Sequence, residues 1–205
     1  DFAQLRQQEQ DKGFREAPHA RPGGNFFRLG QAGGWRDELT AEQVARIEDA
    51  HAPMIVGDIA IVQDTGQSLY STYNSASFVA ADGSFVGLYD KMHLVPFGEY
   101  KPFSKLLSFV GSLTEEVGLM THGQRRVVFA ANGHHYGVFI CYESIFADEV
   151  RQFVNLGADV LINISDDGWY GDTSAPWQHL NMSRMRAIEN DRWLLIDTNS
   201  GVTTV

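Results

Sequence analysis

Cys141 is the only cysteine of the chain, and it stands in the stretch GVFICYESIF at residues 137–146. The apolar run before it predicts a strand, and residues 143–159 predict an amphipathic helix. A cysteine between a strand and a helix has the geometry of a nucleophile elbow, where the helix dipole lowers the pKa of a thiol. Free cysteines also pack as small buried apolar side chains. This stretch alone leaves both interpretations open.

A second group of reactive side chains lies in YDKMHLVPFGEY, residues 89–100. Lys91 follows a predicted hairpin strand, and Glu99 comes shortly after it. An ammonium group beside a thiolate stabilises it, and also stabilises the oxyanion that forms when a carbonyl is attacked. A carboxylate can accept the thiol proton, because burial raises the pKa of a carboxyl group. Lys91 and Cys141 together therefore favour covalent acyl-transfer chemistry over simple packing.

The elements that must position these residues are less clear at the N-terminal end. Residues 1–38 are polar, contain the breakers RPGG and QAGG, and predict irregular structure. A helix is expected from Thr40, which forms a capping-box pattern with Gln43. The apolar run at residues 51–62 then predicts a buried strand.

Hairpins are predicted in the middle of the chain, and strands alternate with helices after it. The turn pairs Asp82-Gly83 and Asn132-Gly133 each predict a hairpin. Gly157 should end the helix after Cys141. Strands are predicted at 159–165 and 192–201, on either side of a helix at 175–191. Four apolar residues of this last helix are expected on one face: Trp177, Leu180, Met185 and Ile188. The pattern predicts a mixed sheet covered by helices.

Composition restricts the possible functions. The 205 residues suit one α/β domain, and the net charge of −10 argues against a nucleic-acid partner. No His, Cys and Asp set has metal-ligand spacing, so we expect neither a metal nor a cofactor. His134 and His135 are interpreted as solvated loop residues, and Asp166 and Asp167 as turn residues. Trp169 could line an acyl pocket or pack in the core.

Three stretches resemble the nitrilase-type domain of the bacterial apolipoprotein N-acyltransferase family. They are YDKMHLVPFGEYKPF, FICYESIF and DGWYGDTSAPWQHLNMSRMRAIENDRWLLIDTNSGVTTV, within residues 53–205. The phrases HLVPFGEY and QHLNMSRMRAIEN separate this family from ordinary amidases and nitrilases. The resemblance implies an α/β fold, a four-layer αββα sandwich formed by residues 1–205 as one nitrilase-like domain. We expect it to be truncated at both ends and to lack the family's transmembrane helices.

The resemblance also implies roles for particular residues. Cys141 matches the nucleophile of the family and Lys91 its catalytic lysine. Glu99 matches a second glutamate that helps to hold the site, and Tyr142 and Glu143 match further important residues. The alternative for both glutamates is that they support loop backbone through hydrogen bonds.

The general base is where the sequence departs from the family. The family places this glutamate in a WPE motif after a buried strand, whereas this chain has FREAP with Glu16. The preceding QQEQDKGF does not resemble the expected apolar strand. Either Glu16 is the base in an altered context, or the base is missing or displaced.

The function implied by the resemblance is N-acylation of lipoproteins. A fatty acyl chain would pass from a phospholipid to the N-terminal diacylglyceryl-cysteine of a lipoprotein through a thioester on Cys141. The membrane is then also a partner, and the site would lie at the periplasmic face of the bacterial inner membrane. Residues 101–120 are interpreted either as an amphipathic arm for that membrane or as a short core helix. Two other functions stay open: a soluble carbon–nitrogen hydrolase, and a non-catalytic relic of the fold.

Overall fold

The computed structural model describes residues 51–63, 70–100 and 120–205, with 49 and 102 as single positions. Glu16, the helix predicted from Thr40 and residues 103–119 of the predicted arm lie outside these residues. None of the helices in the described ranges has the length and apolar character needed to cross a bilayer.

The first sheet is antiparallel, with strands β1 (Met54–Gln63), β2 (Tyr70–Val79) and β3 (Phe85–Asp90) in that order. The predicted turn between β2 and β3 is confirmed, since Gly83 has φ 79° and its N–H donates to the carbonyl of Ala80. A strand forms where one was predicted at residues 51–62, but the prediction that this strand is buried is wrong. Among the described residues β1 pairs only with β2, and this edge position leaves Val56 and Val62 exposed.

The second sheet contains β4 (Val128–Ala131), β5 (His134–Ile140), β6 (Val160–Ser165) and β7 (Trp193–Thr198) in sequence order. β4 and β5 form an antiparallel hairpin, while the β5–β6 and β6–β7 pairs are parallel. Asn132 and Gly133 have φ 51° and 80°, which confirms the predicted turn. The parallel pairs require crossovers, supplied by α1 (Ala147–Asn155) and α2 (Ala175–Asn190).

Apolar side chains join the layers. Phe78 of the first sheet stacks on Phe129 of the second, with ring centroids 5.0 Å apart. Phe153 of α1 is buried against Phe139 on the other face of the second sheet. Gly137 allows this close approach, since a Cβ there would lie 2.7 Å from the Cβ of Phe153. In the part of the chain that the structure describes, helices therefore cover one side of two facing sheets, which are three of the four layers implied by the resemblance.

The helix expected at 143–159 is interrupted near its start. Residues Cys141–Ile145 form a 3₁₀ turn, and α1 begins only at Ala147. Phe146 separates the two because its backbone is extended, with φ −92° and ψ 94°. The predicted end of the helix is confirmed, since Gly157 has φ 101° and donates its N–H to the carbonyl of Val154.

The predicted apolar face of α2 is also wrong. Leu180 is buried, but the other three apolar residues are exposed, Ile188 to 72%. The buried face instead carries His179, Leu180 and Ser183. This face packs on the Cys141–Ile145 turn and on β7, so polar residues take positions that hydrophobicity alone would have assigned to Trp177 and Met185.

Candidate active site

Lys91 directly follows β3 and is only 1% exposed. Its Nζ donates to both carboxylate oxygens of Glu99, at 2.9 Å each. A buried ammonium group is costly unless it is paired and hydrogen-bonded, and Glu99 meets both requirements. Glu99 is itself fixed, because it also accepts from Asn74 Nδ2 at 2.6 Å and from the N–H of Val95 at 2.7 Å.

The backbone of Lys91 is held as firmly as its side chain. Its N–H donates to the carbonyl of Asn74, and its carbonyl accepts from the N–H of Gly123, both at 2.8 Å. A side chain at position 123 would collide with the carbonyl of Asp90. Hydrogen bonds from its N–H and to its carbonyl therefore fix the backbone of Lys91.

Cys141 lies where β5 ends and the 3₁₀ turn begins, and it is partly exposed. Its φ of 48° is in the left-handed region. A non-glycine residue there costs roughly 1–3 kcal/mol, and such strain is common at functional sites. The backbone of Cys141 therefore departs from the regular conformation of a strand residue at the point where β5 ends.

Glu143 connects the segment after Lys91 to the residue before Cys141. One carboxylate oxygen accepts from the Tyr89 hydroxyl at 2.8 Å and from the N–H groups of Met92 and His93, at 2.8 and 3.0 Å. The other oxygen accepts from the N–H of Ile140 at 2.8 Å. These are the contacts of a buried backbone support, the alternative that the sequence left open.

The Tyr89 hydroxyl donates to this carboxylate throughout the ordinary pH range. Burial raises the pKa of Tyr89 far above its usual value, and the negative charge of Glu143 raises it further.

A third buried network holds the carbonyl of Cys141 and was not predicted from the sequence. Asn163 Nδ2 donates to this carbonyl at 3.3 Å, and His179 Nε2 lies 3.1 Å from it. The other ring nitrogen of His179 lies 3.1 Å from Asp167 Oδ1, which also accepts from the Ser165 hydroxyl at 2.6 Å. Asn163, His179 and Asp167 are all at least 96% buried.

Aromatic side chains lie close to Cys141 in the chain and in space. Burial raises the pKa of Tyr170, and so do the charge of Cys141 and the hydrogen bond between the two side chains. Tyr170 therefore remains a neutral phenol beside the sulfur. Tyr142 packs edge-on against Phe146, with centroids 5.3 Å apart. Trp169 is 54% exposed, so the interpretation that it packs in the core is wrong.

The sequence pattern of carbon-nitrogen hydrolases matches residues 17–204. The chain belongs to this family. A carbon-nitrogen hydrolase from Helicobacter pylori G27 has a similar fold, with a TM-score of 0.55 and 20% identity over 83% of this chain and 54% of that protein. The predicted sandwich of the nitrilase superfamily is thus confirmed.

Within the carbon-nitrogen hydrolases, curated relatives confirm the resemblance found in the sequence. The chain is 38% identical over 151 residues to the apolipoprotein N-acyltransferase of Geobacter metallireducens, covering 74% of this chain. It is 37% identical over 171 residues to that of Rhizobium meliloti, covering 80%. These matches span only 29% and 32% of the relatives' own lengths.

The two acidic residues before Gly168 show what the sequence could and could not predict in this hydrolase domain. Asp166 caps the turn as expected, accepting from the N–H of Gly168 at 2.9 Å and from Asn199 at 2.7 Å. Asp167 is buried against His179 instead. The sequence feature that could have indicated the buried position of His179 is Ser183. This small residue lies four positions later, on the same face of α2, where the helix can pack closely on another element.

Proposed function

We propose that this domain carries the catalytic site of an N-acyltransferase that acts on bacterial lipoproteins at the periplasmic face of the inner membrane. The acyl donor is a phospholipid, and the acceptor is the α-amine of the N-terminal diacylglyceryl-cysteine. The observation that carries the proposal is the strained, partly exposed Cys141, whose turn is tied through Glu143 to the segment of a fully buried Lys91. The similarity to apolipoprotein N-acyltransferases supports the choice of a lipoprotein as acceptor.

In the first step a carboxylate accepts the thiol proton of Cys141, and Glu16 is the candidate for this base. The sulfur attacks the ester carbonyl carbon, and a carbon–sulfur bond forms as the carbonyl π electrons move to oxygen. Collapse of this oxyanion breaks the ester carbon–oxygen bond. The lysophospholipid leaves with the proton that the base had taken, and the acyl chain stays on Cys141 as a thioester.

In the second step the acceptor amine attacks the thioester carbon. The base removes one proton from the nitrogen, the carbon–sulfur bond breaks, and the proton returns to the sulfur. The product is an amide, and the enzyme is regenerated without any net change in oxidation state.

The groups around Cys141 suit these charge changes. Glu99 accepts two of the three N–H bonds of the Lys91 ammonium, which leaves one for the thiolate or the oxyanion. The neutral phenol of Tyr170 donates to the sulfur, and the N–H of Tyr142 is the backbone donor for the oxyanion.

Mass spectrometry of the protein after incubation with phospholipid tests the proposal. We expect an acyl adduct on Cys141 that disappears when a diacylglyceryl lipopeptide is added, with N-acylated lipopeptide as product. Cys141→Ala should abolish the adduct while the fold is kept, and Cys141→Ser should be nearly as inactive. Substantial turnover by the alanine variant would refute the nucleophile assignment.

A second candidate is a carbon–nitrogen hydrolase, favoured by the family match over residues 17–204. In that case water would release the acyl group, and adding the lipopeptide would yield free fatty acid without N-acylated product. A domain that formed no adduct with any ester or amide would be the non-catalytic relic.

A further inference from the structure

Two side chains that take no part in the chemistry described above contact the carbonyl of the peptide between Cys141 and Tyr142. The carbonyl of Cys141 meets His179 Nε2 and Asn163 Nδ2, at 3.1 and 3.3 Å. His179 is 4% exposed and Asn163 is completely buried. A 3₁₀ turn can form without any side-chain donor to this carbonyl. Two buried donors there are therefore more than the turn itself requires.

Both ring nitrogens of His179 face groups that only accept hydrogen bonds. A carbonyl oxygen can only accept, so Nε2 bears the hydrogen that is donated to Cys141. The carboxylate of Asp167 likewise only accepts, and it already takes the hydroxyl hydrogen of Ser165. A hydrogen on Nδ1 therefore completes the bond to Asp167, and the ring is fixed at both nitrogens.

Holding this carbonyl also sets the direction of the next N–H. A peptide unit is planar, and in its trans form the C=O and the following N–H point in opposite directions. The described chain contains no cis peptide bond. Anchoring the Cys141 oxygen toward His179 therefore turns the Tyr142 N–H away from His179. Tyr142 lies in the first turn of the Cys141–Ile145 helix, where N–H groups lack a partner within the turn.

We infer that His179, oriented by Asp167, is a positioning residue that holds the Cys141–Tyr142 peptide so that its N–H faces the oxyanion. The inference rests on the proposed thioester function. Without this anchor the left-handed φ of Cys141 would relax, and the peptide could rotate its N–H away from the substrate. Lys91 is held by Glu99. Tyr170 packs its ring edge-on against His179, and the hydrogen bond from the Thr173 hydroxyl to its carbonyl also holds it in place.

Two substitutions of His179 by residues of similar size distinguish the positioning role from simple packing of the side chain. The amide nitrogen of glutamine can take the place of Nε2, whereas the shorter asparagine can replace only Nδ1. His179→Gln can thus still donate to the Cys141 carbonyl, while His179→Asn keeps only the contact with Asp167. His134→Asn is the matched control, because His134 faces Asp159 at 3.6 Å on the exposed, opposite end of β5.

Two rates are measured for each variant at a temperature where circular dichroism shows the native fold. The first is the burst of p-nitrophenol from a p-nitrophenyl acyl ester, which needs the oxyanion donor. The second is alkylation of Cys141 by iodoacetamide, which does not. We expect His179→Asn to slow the burst by a factor of ~100, the scale of losing one oxyanion donor. His179→Gln should recover most of that loss, and both variants should alkylate nearly as fast as the native protein.

Asp167→Asn gives a second measurement should His179→Asn fail to fold. It removes the charge that orients the ring and should slow the burst by a smaller factor with alkylation unchanged. Equal bursts for the glutamine and asparagine variants, or parallel losses of burst and alkylation, would overturn the positioning role. A native protein that alkylates at Cys141 but shows no burst would instead overturn the proposed function itself.

Discussion

At the residue scale, three carboxylates, of which Glu143 and Asp167 are buried and Glu99 partly buried, are balanced in different ways. Glu99 faces the ammonium of Lys91, and Asp167 faces the ring of His179. Glu143 has no cationic partner among its described contacts and is stabilised only by the hydroxyl of Tyr89 and three backbone N–H groups. A charge held by neutral donors alone depends on all of them, so Glu143 should be the most sensitive of the three.

Replacing Glu143 with glutamine should destabilise the fold although it preserves the shape. One carboxylate oxygen would become an amide group that meets backbone N–H donors, so at least one buried contact would join two donors. We expect a loss of ~1–3 kcal/mol in the free energy of unfolding, measured by urea denaturation. Tyr89→Phe removes one donor and should cost less. Native stability with lost acylation would mean that Glu143 takes part in the chemistry.

If the proposed function holds, Lys91→Ala should slow acylation of Cys141 by a factor of ~100 to 1,000, because it removes the ammonium proposed to stabilise thiolate and oxyanion. Lys91→Arg should not restore the rate, since the planar guanidinium cannot replace a compact ammonium in a fully buried site. Single-turnover kinetics with a soluble ester would measure both, with Arg151→Ala, an exposed position on α1, as control. Normal rates in the arginine variant would contradict the assigned role.

The sequence indicated candidate reactive residues, whose roles stay predictions, but not the groups that hold them. Cys141 and Lys91 are recognisable from residue type and local pattern. His179 contacts a carbonyl 38 positions earlier in the chain and a carboxylate 12 positions earlier. No local pattern encodes such pairs, because they exist only once α2 packs on the turn after β5. The general base, Glu16, stays a prediction.

At the element scale, the sequence predicted turns better than helix faces. Asn132-Gly133 and Gly157 adopt the positive φ that their residue types favour, so local preference and tertiary structure agree. The face of α2 could not be predicted, because His179 is buried for its contacts with Cys141 and Asp167 and not for its hydrophobicity. The start of α1 was missed because a 3₁₀ turn precedes it.

Packing of α1 on the second sheet depends on Gly137. A methyl group there would lie 2.7 Å from Phe153 Cβ and 3.0 Å from Ala158 Cβ. We expect Gly137→Ala to cost ~1–3 kcal/mol of stability through overpacking. Gly87→Ala is the control, because its nearest neighbour, Phe129, would be at an ordinary 3.6 Å. Thermal unfolding that affected both variants equally would contradict this account.

At the scale of the whole molecule, charge limits how the domain would meet the proposed phospholipid substrate. The net charge is −10, and the surfaces of bacterial membranes carry anionic lipids. Long-range electrostatics should therefore repel the domain from such a surface. Association with the proposed acyl donor would then rely on apolar contacts, for which the sequence offers Leu107 and Phe109 in the predicted arm.

Binding to vesicles of anionic phospholipid should consequently strengthen, or stay constant, as the salt concentration rises. Salt screens the repulsion over a Debye length of about 10 Å at 0.1 M and leaves apolar contacts intact. Sedimentation with vesicles at increasing sodium chloride concentrations measures this, with neutral phosphatidylcholine vesicles for comparison. The variant with Leu107→Ser and Phe109→Ser should bind less at every salt concentration, yet still cleave a small soluble ester. Binding that fell steeply with salt would point to a basic patch and refute the apolar mode of association.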